Sequence, residues 1–212
     1  MKWVASLIVC AIVSLGGTLV VQEQNIISSR QTPALYMPVA VLYSDAADYP
    51  KVFKGLLDAI TMWQEKVHIH IKIHTVLTIE EWRAFDGLRI DIETIPDFSS
   101  MVGYYAPNQN LVVLDADLEM TEPIDYDIAM DSVPKLVALH ELGHVLGLPH
   151  ITYVDNQDHL PTYEHSSPGD IVFQTEEEAQ TYIMFPVLQH SRATGISDME
   201  AEIVIMSMKL PR

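Results

Sequence analysis

Residues 140–150 read His140-Glu141-Leu142-Gly143-His144-Val145-Leu146-Gly147-Leu148-Pro149-His150, a run whose residue types and spacing could assemble chemistry around one metal ion. Residues four apart share one face of an α-helix, so His140 and His144 can aim two imidazoles at a single cation. Glu141 adjoins that face and can reach a water activated at the metal without ligating the metal itself. A helix cannot bring a third ligand back to the same ion unless the chain turns. Gly147 supplies the turn, because glycine takes positive φ at little cost. Pro149 then prevents helical continuation, and His150 can fold back as the third ligand. A lone H-E-x-x-H arises by chance fairly often, and a helical histidine is commonly just packed or solvated. The extended H-E-x-x-H-x-x-G-x-x-H spacing is far rarer, and it leaves the fourth position of a zinc ion for water.

These residues need a buried helix to hold them. Ser132 and Pro134 make a helix start, and Leu136, Val137, Leu139, Leu142, Val145 and Leu146 give it enough apolar surface to bury. Further on, Tyr182-Ile183-Met184-Phe185-Pro186 is an apolar run with a central methionine, and methionine in such a run is usually core filler.

Taken together, residues 140–150 and Met184 resemble the metzincin clan of zinc peptidases, in which a methionine turn lies beneath the metal. Pro186 stands where the astacin-like and serralysin-like members carry a tyrosine, and with the Leu-Gly-Leu around Gly147 it resembles the matrixins. The resemblance implies an α+β fold of the zincin-like type, a twisted mixed sheet with an active-site helix and a C-terminal helix. It implies zinc on His140, His144 and His150, Glu141 as the general base, and Met184 in the turn. It also implies that Pro186, Val187 and Leu188 wall the pocket for the side chain after the scissile bond. Two departures stand out. Ile151 follows the third histidine where matrixins have serine or aspartate, and residues 151–183 separate His150 from Met184 by far more than is usual there.

With 212 residues, 12 Lys+Arg and 29 Asp+Glu, the chain has room for one sizeable core and carries a formal charge of −17. That balance argues against nucleic acid or an anionic membrane surface as a partner. Residues 3–21 hold no charge after Lys2, and as a helix they would extend roughly 28 Å, close to a bilayer's hydrocarbon thickness. They read as a secretory signal peptide or an uncleaved N-terminal anchor, so the domain is expected to be exported: secreted, periplasmic or anchored. The only cysteine, Cys10, lies in that segment, leaving the rest of the chain without disulfides or the propeptide cysteine that vertebrate matrixins use for latency.

Residues 22–37 read as a linker and 38–212 as the catalytic domain. Val39–Tyr43 is expected to be a buried strand, and Asp48 and Pro50 to open a helix with Val52, Phe53, Leu56, Leu57, Ile60 and Trp63 on one face. Strict alternation marks Val67–His74 and Leu88–Glu93 as strands. On the first, His68, His70 and His74 fall on a polar face and are read as solvated rather than ligating. Met101–Ala106, a turn at 107–110 and Leu111–Asp115 read as a hairpin. By the resemblance its first arm edges the cleft, where an extended peptide could pair with Gly103 and Tyr104. Asp115, Asp117, Glu119, Asp125 and Asp127 read as a solvated acidic stretch that is also compatible with bound calcium. Ser197 and Glu200 form a capping box for a last helix with Met199, Ile203, Val204 and Met206 on its apolar side.

The expected activity is zinc-dependent endopeptidase cleavage of a peptide or protein substrate, with contact to membrane only through the N-terminal segment. Two other readings of the same residues are an exported zinc amidase acting on cell-wall peptides and a non-catalytic module stabilised by structural zinc. The second has no use for Glu141, because a structural site takes four protein ligands.

Overall fold

The computed structural model describes residues 36–96, 101–120, 133–153, 169–186 and 191–209. Residues 1–35, with the apolar N-terminal segment and Cys10, lie outside the described residues. So do Asp125, Asp127, Ser132, Val187 and Leu188.

Alternation of apolar residues builds one face of a five-stranded sheet. Its strands are β1 (Tyr36–Leu42), β2 (His70–Val76), β3 (Leu88–Glu93), β4 (Gly103–Ala106) and β5 (Leu111–Asp115), in the order β2-β1-β3-β5-β4. Leu88, Ile90 and Ile92 of β3 are buried while Arg89 and Asp91 are half-buried, the period of two that a strand imposes. Register carries this face across the sheet. Val39 and Val41 stand opposite Leu88 and Ile90, and Val112 and Leu114 stand opposite Ile90 and Ile92. β1 runs parallel to β2 and β3, β3 runs parallel to β5, and β4 closes the edge antiparallel to β5. The result is a mixed sheet with helices, which fits an α+β class.

Between β1 and β2 lie α1 (Tyr43–Asp48) and α2 (Pro50–Val67), followed later by the short α3 (Ile79–Arg83), by α4 (Val133–Val145) and by the short α5 (Glu176–Ala179). α2 buries Val52, Leu56, Ala59, Ile60, Trp63 and Val67, which join residues of the sheet and of α4 in one core. Trp63 Nε1–H donates to the Leu139 carbonyl at 3.1 Å and so ties α2 to α4. Leu57 was expected on the buried face but is 37% exposed, because it sits one helical step past Leu56.

Three boundaries differ from the sequence reading. β1 begins at Tyr36 and takes two residues from the expected linker, while Tyr43 belongs to α1 rather than to the strand. Val67 ends α2, and His68 closes that helix in the left-handed region at φ 56°. The alternation Val67, Ile69, Ile71 persists across this break because helix end and strand start bury the same side of the chain. Two of the histidines on this segment have aromatic neighbours: His70 stacks on Tyr36 and His74 tilts against Phe85.

The acidic stretch has a structural use. Glu119 Oε2 accepts the Lys51 and Val52 backbone N–H groups at 2.7 and 3.1 Å, capping the first turn of α2. Asp115 Oδ1 accepts from the N–H groups of Ile95 and Asp117. These carboxylates serve backbone donors, and among the described residues only His140, His144 and His150 gather as a metal-binding group.

The C-terminal helix α6 (Asp198–Lys209) begins as expected. Ser197 Oγ accepts from Glu200 N–H at 3.1 Å, and Glu200 Oε2 accepts from Ser197 N–H at 2.9 Å. Glu200, Ala201 and Val204 are buried on this helix, while Met206, expected on the apolar side, is 57% exposed. No helix among the described residues is long and apolar enough to cross a membrane.

Removing the Glu119 cap leaves two N-terminal donors of α2 to water. Glu119→Ala is expected to cost about 1 kcal/mol, read as a lower urea midpoint at unchanged slope. An unshifted midpoint would assign the cap no stabilising role.

Candidate metal centre

α4 is buried over Leu136, Val137, Ala138, Leu139, His140, Glu141, Leu142 and Gly143, so the two helical histidines are delivered into the interior. After Val145 the helix closes by a paired turn. Leu148 N–H donates to the Gly143 carbonyl at 2.9 Å and Gly147 N–H to the His144 carbonyl at 3.0 Å. Gly147 takes φ +95°, the left-handed conformation this closure requires. The chain then doubles back, and His150 meets the other two histidines.

The three rings pack with centroids 4.8, 5.2 and 4.6 Å apart, and one ligand nitrogen from each lies within 4.8 Å of the others. His140 Nδ1–H donates to the Ile183 carbonyl and His144 Nδ1–H to the Leu148 carbonyl, both at 2.9 Å. A carbonyl only accepts, so these bonds place the proton on Nδ1 and leave each Nε2 with a lone pair. His144 Nε2 and His150 Nε2 stand 3.0 Å apart. Burial, followed by the neighbouring histidines, lowers the His140 pKa to about 3. Burial and His150 lower that of His144 to about 4. Both are therefore neutral at neutral pH, the form able to bind a metal. A donor set of converging neutral imidazole nitrogens with outer acceptors on Nδ1 fits a divalent cation of the zinc type.

Glu141 is 6% exposed and stands beside this cluster without belonging to it. Burial pushes its carboxyl up to about 8. A cation on the histidines would favour the ionised form again. β4 runs close over this residue: a Cβ placed on Gly103 would stand 2.8 Å from Val137 Cγ1 and 3.3 Å from Glu141 Cγ.

Met184 is fully buried beneath α4. A methyl group on Gly143 would collide with Met184 Sδ, so the helix needs glycine there to sit on the methionine. The turn at Met184 is held from two sides. Glu200 Oε1 accepts Met184 N–H at 3.0 Å, and Ile151 N–H donates to the Met184 carbonyl at 3.0 Å. Glu200 is 0% exposed. Burial raises its pKa, while the hydrogen bonds from Ser197 and Met184 pull it back.

The sequence reading saw Glu200 only as a helix cap and gave no part in holding the site to Gly143, Ile183 or Leu148. Gly143 was detectable, because a glycine inside a helix is unfavourable and hints at close approach. The carbonyl partners left no signal, since any residue offers one.

The expected substrate positions fare unequally. β4 is the sheet edge, as anticipated. Asp115 N–H donates to the Val102 carbonyl, and hydrogen-bonded pairs alternate along an antiparallel ladder. With Tyr104 opposite Val113, the Tyr104 backbone groups therefore turn toward β5. Gly103 and Tyr105 carry the groups that face outward. Pro186 is half-buried just beyond Met184. No protein-family model matches the chain, and no curated protein matches it.

Two substitutions test this framework. Gly143→Ala gains about 1 kcal/mol of helix propensity, but overpacking a filled core costs about 1–3 kcal/mol. Net loss of stability and weaker zinc binding are expected, by denaturant titration and chelator competition. Glu200→Ala strands the buried N–H of Met184 and removes the acceptor at Ser197, so about 3 kcal/mol of stability should be lost. A loss below about 0.5 kcal/mol, the size of an ordinary surface change, would show that the turn holds without it.

Proposed function

We propose that the chain is an exported zinc metalloendopeptidase whose catalytic domain, residues 38–212, is of the metzincin type and matrixin-like. The observation that carries this reading is Glu141: a buried carboxyl adjoining three convergent histidines yet standing outside the ligand group. Zinc held by His140, His144 and His150 would keep a fourth position for water, lower that water's pKa toward neutrality and polarise a carbonyl.

Each remaining role falls to a residue of this chain. Glu141 accepts a proton from the attacking water and delivers it to the leaving amine. The Ile183 and Leu148 carbonyls hold the His140 and His144 rings by their Nδ1–H groups. An extended peptide adds to the β4 edge through the outward backbone groups of Gly103 and Tyr105. Met184 supports the ligand helix from below, and Pro186, with Val187 and Leu188 after it, walls the pocket beyond the scissile bond. The net charge of −17 suits a peptide or protein substrate rather than nucleic acid. Residues 3–21 direct export, by cleavage or as a retained anchor.

Glu141→Ala should retain stoichiometric zinc and lose hydrolysis of casein by about 10²–10⁴-fold. Near-parental turnover in zinc-replete mutant protein would sink the mechanism. Peptidoglycan assayed beside casein separates this activity from amide cleavage in cell-wall peptides, and inertness of the zinc-loaded parent on both would leave only a structural metal.

A further inference from the structure

The chain between His150 and Met184 returns to the histidines at one described point. β6 (Ile151–Tyr153) and β7 (Ile171–Phe173) form a two-stranded parallel sheet in the register Ile151↔Ile171, Thr152↔Val172 and Tyr153↔Phe173. His150 and Asp170 immediately precede the two strands, and Ile171 N–H donates to the His150 carbonyl at 2.9 Å. Register neighbours on parallel strands are about 4.8 Å apart and project to the same face. Asp170 is thereby held laterally beside the third histidine. Its Oδ1 is buried from solvent. Its negative charge reaches the cluster, where it opposes the effect of burial on His144.

We propose that Asp170 is a positioning residue of the metal centre, its carboxylate accepting the Nδ1–H of His150 and so fixing that ring with Nε2 toward the cation. The inference rests on the metal-centre reading given above and extends it. His140 and His144 already have backbone carbonyls in this role. A carboxylate is the stronger acceptor, makes the imidazole more basic toward a cation, and brings a compensating charge to a cationic centre. The β6–β7 ladder is the device that delivers it. Asp170 and the β6–β7 ladder are on this account part of the metal site.

The test uses the full chain loaded with Zn²⁺ or Co²⁺ and compares it with Asp170→Asn, Asp170→Glu and His150→Ala. Zinc affinity by competition with a chromophoric chelator should fall about 10–100-fold in Asp170→Asn. Asp170→Glu, which keeps charge and acceptor, should retain more affinity than Asp170→Asn. The visible bands of the Co²⁺ form should shift in Asp170→Asn with the number of ligands unchanged. Circular dichroism of each metal-free variant establishes that it is folded. Affinity within a factor of about two of the parent in folded Asp170→Asn would overturn the proposal, as would equal losses in the Asn and Glu variants. Loss of a Co²⁺ ligand in Asp170→Asn would also overturn it, by making Asp170 a ligand itself. A parent that binds no zinc, or a His150→Ala variant that binds like the parent, would instead fail the metal-centre reading.

Discussion

The hydrogen bond from His140 Nδ1–H to the Ile183 carbonyl is the constraint on which the rest of the site depends. Helical geometry alone brings His140 and His144 to one face, but it leaves each ring free to rotate about its own bonds. The carbonyl that locks His140 comes from a turn far along the chain, so that turn must be held as firmly as the helix. It is held at Met184, whose N–H is taken by Glu200 of α6 and whose carbonyl is taken by Ile151 of β6. Beneath α4, Met184 Sδ fills the place that a side chain on Gly143 would need. Three distant segments thus converge on one residue, and the orientation of a ligand ring follows from their agreement.

The electrostatics follow from the same burial. Three imidazoles packed with ring centroids no more than 5.2 Å apart cannot all carry charge in an apolar interior. Desolvation accordingly holds His140 and His144 far below the usual histidine range. Glu141 faces the opposite demand: burial favours its neutral form and lifts it to about 8, whereas proton abstraction needs the anion. A divalent cation would resolve both demands. It would satisfy the lone pairs that neutrality exposes, and it would supply the positive charge that an ionised Glu141 lacks. Burial that would be a defect in an ordinary core becomes a reason for metal affinity.

Much of this was legible in the sequence, and the parts that were not share a physical cause. The ligand set was readable because its requirements are local: a four-residue helical spacing, a left-handed glycine at 147 and a proline that ends the helix. Strands β3, β4 and β5 were readable from alternation and the turn between them. Local patterns misplaced the start of β2, where the alternation through Val67 and Ile69 continues across a helix end. They also misplaced Leu57 and Met206, whose exposure depends on what packs opposite. Glu119 read as part of a solvated acidic stretch compatible with calcium, whereas its carboxylate caps the N-terminus of α2. Its acidic neighbourhood was visible in the sequence, but its donors came from residues 51 and 52. The outward-facing backbone groups of Gly103 and Tyr105 likewise depend on pairing phase, which residue types alone do not encode.

The long passage from His150 to Met184 follows from its own topology. A parallel strand pair cannot be joined by a tight turn, because the chain must travel back the length of the first strand before the second begins. β6 ends at Tyr153 and β7 begins at Ile171, so residues 154–170 make that crossover. Extra length in such a connection costs little, since closure entropy grows only with the logarithm of loop size. What parallel pairing provides in return is position: β7 starts, rather than ends, beside the third histidine. Aromatic contacts then bind the far ends of the ladder to the residues flanking Met184. Tyr153 lies parallel to Phe185 at 6.4 Å, and Phe173 stacks on Tyr182 at 4.8 Å. The ladder is therefore fastened to the residues flanking Met184 as well as to His150, and a shift in it would be felt at both sides of the histidine cluster.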